Sequence, residues 1–204
     1  SLDTLEKMKK IGCKVTNPPN NLVQKCDLVI LSLPTAKIVR DLMEVVSPDI
    51  KPGTIIVDTS TSEPDTTKAL SEIAKQAHYH FIDGPVSGGP GAANSGSMTM
   101  LLGGDKNIIE SIQPTLDLIT LQTVIVGPSG AGHAAKIANN MLCAANLVLV
   151  SEVVKLGNAC GISPKDLLNG INAGSGRSGV SEVNFPKWVL NEDYNSGFTM
   201  GLMR

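Results

Sequence analysis

The sequence has 204 residues, of which 42% are hydrophobic and 18% are charged, and its formal net charge is -2. This composition is typical of a folded chain with a large core and excludes an intrinsically disordered protein. Because no basic cluster is present, nucleic acid is excluded as a partner. The longest apolar run, Met141 to Val150, is interrupted by Asn146 and is shorter than the roughly 20 residues of a membrane span, so we expect no membrane partner.

The cysteines are widely separated and lack C-x-x-C spacing: Cys13, Cys26, Cys143 and Cys160. This spacing predicts buried free thiols in a reducing compartment rather than disulfides or a metal site. No other group of His, Cys, Asp and Glu has ligand spacing, which predicts no metal. The start of the sequence has no signal-peptide pattern, which favours a cytoplasmic location, or the mitochondrial matrix in a eukaryote.

Strand and helix patterns alternate through the first 127 residues. The near-continuous apolar run DLVILSLP predicts a strand buried on both faces, and GTIIVDTST predicts another buried strand. Further strands are predicted at HFIDGPVSGG, SMTMLLGG and TVIVG. A further short strand is predicted at CKVTN. Helical periodicity, capping residues and helix-stopping glycines predict helices at residues 2–11, 35–46, 62–77 and 106–119. Such alternation indicates an α/β fold with a mostly parallel sheet.

The pattern changes after Gly127, where strand signals end. One long helical stretch runs from Gly130 to Cys160, and Ser163 is the predicted N-cap of the next helix. A less regular helical stretch covers Ser181 to Leu190. We therefore predict a Rossmann-type domain over residues 1–129 and an all-α domain over residues 130–204, which begins with the long interdomain helix.

One expected feature of a nucleotide-binding sheet is missing. Such sheets open with a strand and a G-x-G-x-x-G loop, and neither precedes the first helix here. We therefore expect the sequence to be a segment truncated at both ends, with both domains partial. A complete protein with a frayed N-terminus is the alternative.

Polar residues follow two of the predicted strands, at the sheet edge where ligands bind in open α/β folds. At Ser32–Thr35 a proline turns the chain and leaves backbone groups free, although an ordinary strand-to-helix turn explains this pattern equally simply. At Asp58–Pro64 a carboxylate and four hydroxyl groups could cap the next helix or bind a ribose or a nicotinamide amide. Spacing alone leaves both alternatives open.

The loop from Asp83 to Ser97 is rich in glycine. Gly88, Gly89 and Gly91 permit positive φ and close backbone approach, and successive free N–H groups form a concave anion site. Ser87 adds a hydroxyl donor. These features fit a substrate carboxylate, and the alternative is a glycine-rich hairpin without a ligand.

Lys136 and Asn140 share one face of the long helix because they are spaced i, i+4. A lysine in an apolar cleft has a lowered pKa and can exchange a proton with a substrate oxygen near neutral pH. The alternative is a lysine that snorkels at the helix surface. Small neighbours leave room beside it, and Ile137, Met141 and Leu142 are expected to pack. His133 is interpreted as structural, and Arg177 as part of a solvated loop.

These segments together resemble the β-hydroxyacid dehydrogenase family. The family's substrate motif begins D-x-P-V-S-G-G, and matching residues stand at Asp83, Pro85, Val86, Ser87, Gly88, Gly89, Gly91, Ala92 and Gly96. The family's catalytic motif G-x-G-x-x-x-K-x-x-x-N stands at Gly130, Gly132, Lys136 and Asn140. Two motifs in the family's order, within the expected strand pattern, carry the resemblance over essentially the whole chain.

The resemblance implies roles for individual residues. Lys136 would be the catalytic acid/base. The substrate would be held by Ser87, Gly88, Gly89 and Asn140. The cofactor, NAD or NADP, would contact Leu33, Pro34, Ile38 and Thr61, with Phe198 in a segment that approaches it.

The implied reaction is hydride transfer between NAD(P) and a 3-hydroxy acid, or reduction of the matching semialdehyde. Alternatives are a catalytically silent family member that acts as a binding module, and an enzyme like 6-phosphogluconate dehydrogenase. The latter needs basic phosphate ligands and a larger helical domain, and neither is evident. Because the long helix is apolar on several faces, we also expect a homodimer or homotetramer.

Overall fold

The computed structural model describes residues 2–194 and 196. The chain divides into two compact units. The sheet unit comprises Ser1–Ser87 and Met98–Ala134, and the helical unit comprises Gly88–Ser97 and Ala135–Arg204. The predicted α/β fold, followed by a long helix and further helices, is confirmed by this architecture. The boundary between residues 129 and 130 stays a prediction.

One mixed sheet forms the centre of the sheet unit. Its strands are β1 (Leu28–Leu31), β2 (Ile55–Asp58), β3 (His80–Asp83), β4 (Val86–Ser87), β5 (Thr99–Gly103) and β6 (Gln122–Gly127). The order is β1-β2-β3-β5-β4, and β6 also pairs with β5. The β1–β2, β2–β3 and β5–β6 pairings are parallel, whereas β5 is antiparallel to β3 and to β4. The carboxyl ends of β1, β2 and β3 therefore lie at one edge.

Two helices of the sheet unit precede β1, namely α1 (Leu2–Lys10) and α2 (Asn20–Val23). Three others connect strands: α3 (Ala36–Val46), α4 (Pro64–Gln76) and α6 (Lys106–Leu116). Side-chain caps define two of their starts. Thr35 Oγ1 accepts from the Ile38 N–H at the start of α3, and Asp105 accepts from the N–H groups of Asn107 and Ile108 at the start of α6. The predicted strand CKVTN is wrong, because residues 13–16 are exposed and pair with no strand among the described residues.

Two apolar clusters stabilise the sheet unit. The first includes Val39 and Met43 of α3 with Ile56 of β2, and the second includes Met100 and Leu102 of β5 with Ile109 of α6. All six side chains are at most 1% exposed. Burial on both faces is confirmed for β2, where the neighbouring residues Ile56 and Val57 are both 0% exposed, but it is wrong for β1, where Ile30 is 39% exposed.

The helical unit contains α5 (Gly89–Ser95), most of α7 (Ala131–Ala159), α8 (Pro164–Asn172) and a π-helical segment, Val180–Leu190. Its core joins Val154 of α7 to Leu168 of α8 and to Val180 and Phe185 of the π-helical segment. Ser163 caps α8 as predicted, since its Oγ accepts from the Asp166 N–H at 3.2 Å. The predicted glycine-rich loop differs from the structure, because it contains α5.

Part of α7 exposes large apolar side chains. Ile137, Met141 and Leu142 are 43%, 66% and 61% exposed, so the expectation that they pack is wrong for the described chain. By length and composition α7 could also cross a membrane, a possibility that counting uninterrupted apolar residues missed. One such helix is weak evidence, because a core helix of a soluble protein meets the same criterion. The predicted oligomer remains a prediction.

The cysteines are free, but the prediction that they are buried is wrong. Cys13 and Cys160 are exposed, and Cys26 and Cys143 are half-buried. An apolar sequence context does not ensure burial near a surface turn, where both exposed cysteines lie.

Two leucines near the end of α6 are expected to contribute very differently to the free energy of unfolding. Leu116 is 0% exposed and Leu118 is 81% exposed. We expect Leu116→Ala to lower the free energy of unfolding by about 2–5 kcal/mol, because it leaves a cavity. The matched Leu118→Ala should change it by less than about 0.5 kcal/mol. Urea denaturation of both variants measures the difference, and equal effects would contradict the placement of this core.

Candidate active site

The loops that follow β1 and β2 are hydrogen-bonded to each other. The Leu33 N–H donates to Ser60 Oγ at 3.0 Å, and Thr59 Oγ1 donates to the Leu31 carbonyl at 2.7 Å. These bonds connect the two strand ends that sequence analysis assigned to cofactor binding. The parallel pairing of β1 and β2 makes this contact possible, because it brings both carboxyl ends to one edge.

Three of the four predicted cofactor contacts are exposed at this edge. Pro34 and Thr61 are exposed, Ile38 is 43% exposed, and Leu33 is half-buried. An exposed proline and isoleucine, together with an exposed threonine hydroxyl group, fit the mixed apolar and polar surface of a nicotinamide nucleoside. The residues present are therefore compatible with an NAD or NADP molecule.

The hydroxyl groups of the segment after β2 have separate tasks. Asp58 is 1% exposed and accepts from the Ser60 N–H and from Ser62 Oγ, at 3.0 and 3.2 Å. None of these side chains caps α4. The N-cap residue of that helix is Glu63, whose side chain accepts no hydrogen bond from the first N–H groups of α4. The capping interpretation of this segment is therefore wrong, and Thr61 is its exposed member.

The predicted substrate loop begins at the end of β4. Ser87 is half-buried and pairs with Thr99 of β5. Gly88 and Gly89 have φ values of 124° and 66°, a backbone region that side-chain-bearing residues rarely adopt. Gly91 lies inside α5 without a positive φ, so the special backbone predicted for it is wrong.

Lys136 is 9% exposed although it carries an amine. Burial lowers the pKa of this amine, and a negative charge on Cys143 acts in the opposite direction. Asn140 and Cys143 follow at i+4 and i+7, so the three side chains share one face of α7. The choice between a lysine in a cleft and a lysine that snorkels stays a prediction.

A buried carboxylate caps the start of the same helix. Asp83, at the end of β3, is 0% exposed. Its Oδ1 accepts from the Gly130 N–H at 2.8 Å, and its Oδ2 accepts from the His133 N–H at 3.0 Å. Asp83 therefore satisfies two donors at the amino end of α7, where a negative charge is also favoured by the helix dipole.

His133 is the second buried polar group at this helix start, and it is 0% exposed. Its Nε2 lies 3.0 Å from the Ser60 carbonyl oxygen, and its Nδ1 lies 2.6 Å from Thr67 Oγ1. Because a carbonyl only accepts, we assign a proton to Nε2, and Nδ1 is hydrogen-bonded to the Thr67 hydroxyl group. The structural interpretation of His133 agrees with this geometry.

Two glycines permit the close contact between α7 and the sheet. A Cβ on Gly132 would overlap the Leu101 carbonyl oxygen and lie 2.9 Å from Asp83 Oδ2. A Cβ on Gly103 would lie 2.6 Å from Asp83 Oδ2 and 2.7 Å from the Gly132 nitrogen. Gly132 of the lysine motif is therefore required for packing of the helix start.

Sequence reasoning missed the contact between the two motifs. Asp83 belongs to the substrate motif and Gly130 to the lysine motif, and no spacing rule shows that they are hydrogen-bonded. The signal was an acidic residue at the end of a buried strand that had no assigned partner. Arg177, at 3.7 Å from Glu182, fits its interpretation as a solvated loop residue, whereas Phe198 lies outside the described residues.

Comparisons with known protein families agree with this architecture. A model of the NAD binding domain of 6-phosphogluconate dehydrogenase matches residues 1–127. A model for the NAD-binding of NADP-dependent 3-hydroxyisobutyrate dehydrogenase matches residues 130–204. A Rossmann-type sheet followed by a long helix thus defines an NAD(P)-binding protein, which confirms the predicted cofactor class of NAD or NADP.

Individual relatives extend the comparison. The 2-(hydroxymethyl)glutarate dehydrogenase of Eubacterium barkeri is 36% identical, over 94% of this chain and 64% of that protein. The mitochondrial 3-hydroxyisobutyrate dehydrogenase of Rattus norvegicus is 33% identical, over 98% of this chain and 63% of that protein. A structure of Mycobacterium tuberculosis 3-hydroxyisobutyrate dehydrogenase with L-serine has a TM-score of 0.93 and 27% identity, covering 100% of this chain and 72% of that one.

The chain belongs to the β-hydroxyacid dehydrogenase family, as its two motifs predicted. It spans slightly less than two thirds of the length of the two curated relatives described above.

Proposed function

We propose that the protein is an oxidoreductase that transfers hydride between NAD(P) and a 3-hydroxy acid, or reduces the matching semialdehyde. The low exposure of Lys136, together with the lowered pKa of its amine, is the observation that supports this function most directly. A buried lysine that is neutral part of the time can act as a general base, whereas an exposed, permanently charged lysine cannot.

The proposed substrate class follows from what the relatives have in common. 3-Hydroxyisobutyrate, 2-(hydroxymethyl)glutarate and L-serine each carry a hydroxymethyl group on the carbon next to a carboxylate. These molecules are named with relatives of this chain. A primary alcohol one carbon removed from a carboxylate is therefore the substrate feature that we assign to this protein.

Each proposed site residue has a defined task on such a substrate. The Ser87 hydroxyl and the backbone N–H groups of Gly88 and Gly89 would bind the carboxylate. Asn140 would donate its amide N–H to the hydroxyl oxygen, and Lys136 Nζ would take the hydroxyl proton during oxidation. The nicotinamide, when bound, supplies the hydride-accepting carbon.

The exposed edge of the sheet unit would hold that cofactor. Leu33, Pro34 and Ile38 offer an apolar surface, and Thr61 offers a hydroxyl group. The Leu33–Ser60 hydrogen bond would keep these two loops in a constant relative position before the cofactor arrives. Such preorganisation lowers the cost of ordering loops on binding.

A substrate panel tests the proposal on the intact protein. We expect NAD(P)-dependent oxidation of at least one acid with a 3-hydroxyl group, and reduction of the corresponding semialdehyde, followed by nicotinamide absorbance. A 2-hydroxy acid of equal size is the control and should not react. Cofactor binding without turnover of any 3-hydroxy acid would contradict the proposal and favour a silent binding module.

The lowered pKa of Lys136 also predicts a pH dependence. Oxidation needs the neutral amine, so kcat/KM for the alcohol should rise with pH and level off above the pKa of Lys136. The midpoint should lie below the ordinary lysine value of 10.5, because burial lowers this pKa. Reduction needs the protonated amine and should fall with pH through the same range.

Rate profiles in both directions measure this dependence. Lys155→Met is the control, because Lys155 is exposed on the same helix and paired with Glu152 at 2.7 Å. Its profile should match that of the unsubstituted protein. An oxidation midpoint at or above 10.5 would contradict the assignment of Lys136 as the base.

The oligomeric state and the cellular location of the protein are further proposals. We propose a homodimer or homotetramer, supported by the exposed apolar side chains of α7. We also propose a cytoplasmic location, or the mitochondrial matrix if the source is eukaryotic, since the Rattus norvegicus relative is mitochondrial.

A further inference from the structure

We propose that Asp83 and His133 are positioning residues for the reaction: together they hold the first turn of α7, the helix whose next turn carries Lys136. This inference rests on the proposed function, because it gives a catalytic consequence to a buried network. Neither side chain is accessible to a substrate, since both are 0% exposed.

The first step of the argument is the completeness of the cap. Both oxygens of Asp83 accept hydrogen bonds from α7, one from Gly130 and one from His133. An amide in place of this carboxylate keeps one acceptor oxygen and turns an NH2 donor toward an N–H donor. One bond is then replaced by a repulsive contact, and the charge that complements the helix dipole is lost.

The second step is the connection to the cofactor edge. His133 Nε2 donates to the Ser60 carbonyl, and Ser60 Oγ accepts from the Leu33 N–H. Asp58, which accepts from the Ser60 N–H, lies 3.9 Å from His133 Nε2. The start of α7 is thereby hydrogen-bonded to the loop after β2, which carries Thr61. Through Ser60 it is also connected to the loop after β1, which carries Leu33.

The third step is the spacing along α7. Lys136 follows His133 by three residues on a continuous helix, so displacement of the first turn displaces the lysine with it. Glycines at positions 103 and 132 bring this turn into contact with the sheet, as a rigid support requires. Asp83 is thus a link between the substrate motif and the lysine motif, rather than a substrate ligand.

The test compares two capping aspartates of the sheet unit in the intact protein. Asp83→Asn should lower kcat by about 30- to 100-fold, because displacing a reacting group by about 1 Å costs up to roughly 100-fold. The KM for the nicotinamide nucleotide should stay within about threefold, since the exposed cofactor contacts are untouched. Asp105→Asn makes the same exchange at the cap of α6, where one side-chain oxygen accepts from both N–H groups and an amide oxygen can take its place, so kcat should stay within about twofold.

A second pair of variants separates positioning from simple stability. His133→Gln keeps a donor for Ser60 and an acceptor for Thr67, and should retain kcat within about fivefold. His133→Leu keeps the volume without these bonds and should lose kcat as Asp83→Asn does. Rates are expressed per nicotinamide-binding site, so that unfolded protein does not count. Hydrogen exchange should increase at residues 130–134 in Asp83→Asn and in His133→Leu, but not in His133→Gln.

The outcomes are distinguishable. A kcat of Asp83→Asn within about threefold of the unsubstituted enzyme would overturn the positioning role and leave the proposed function intact. Equal losses in His133→Gln and His133→Leu would overturn the role of His133. An unsubstituted protein that oxidises no 3-hydroxy acid would overturn the proposed function and, with it, this inference.

Discussion

Replacing Lys136 with alanine is expected to lower kcat by about 10²–10⁴-fold, the range that general acid–base catalysis contributes. The amine is the proposed proton acceptor, and alanine offers no group of similar basicity. Nicotinamide binding should persist, because the proposed cofactor contacts belong to other segments. Steady-state kinetics and fluorescence titration of the reduced cofactor measure the two properties separately.

Removing the charge of Lys136 is also expected to change the stability of the protein. Since burial lowers the pKa of Lys136, the unfolded chain binds more protons between that pKa and the ordinary value of 10.5. Stability from this group therefore increases with pH through that window, and at neutral pH the buried charge opposes folding. Lys136→Met, which keeps the side-chain volume, should be at least as stable as the original protein at pH 7.

Two controls test whether the loss of kcat in Lys136→Ala is specific to the missing amine. Lys155→Ala removes an exposed lysine of the same helix, whose side chain is 72% exposed, and should change kcat less than about twofold. Small primary amines added to Lys136→Ala should restore part of the rate, because they can enter the space of the lost side chain. Full turnover by Lys136→Ala without added amine would disprove the catalytic role.

Replacing Gly132 with alanine is expected to lower the free energy of unfolding by about 3 kcal/mol or more, because overpacking here meets backbone rather than a flexible side chain. The new Cβ would overlap the Leu101 carbonyl oxygen and crowd Asp83. The first turn of α7 would have to move away from the sheet. Urea denaturation measures the loss, and kcat should decrease in parallel because Lys136 follows on the same helix.

Gly91 provides a matched control from the other motif. It is exposed inside α5, its φ is not positive, and a Cβ there would meet nothing within 4 Å. Gly91→Ala should therefore be neutral or stabilise the protein by up to about 1 kcal/mol. A destabilisation equal to that of Gly132→Ala would contradict the different roles that the structure assigns to these glycines.

Local pattern was sufficient for most of the fold. Buried strands such as β1 and β2 are near-continuous apolar runs, and the helices that follow them begin at polar capping residues or at proline. The wrong strand at CKVTN shows the limit, since alternation over five residues is compatible with exposed coil. The burial of cysteines was wrong for a related reason, because burial depends on the neighbours that the fold provides.

The candidate site also has features that local sequence predicts and features that it does not. Lys136 and Asn140 could be predicted to share a helix face, because a helix has a known period. The low exposure of Lys136 could not, because even apolar residues of the same helix are mostly exposed: Met141 is 66% exposed and Leu142 is 61% exposed. Exposure is a property of what packs against a residue rather than of its local sequence.

By itself, the sequence determined the family, the α/β order and the candidate residues, because motif spacing and hydrophobic period are local along the chain. Only the tertiary structure decided that Asp83 caps the lysine helix, that His133 joins Thr67 to Ser60, and that Gly132 packs against Leu101. These contacts join residues up to 73 positions apart. Such pairs become neighbours only when the parallel strands bring their carboxyl ends to one edge, and no local pattern encodes that edge.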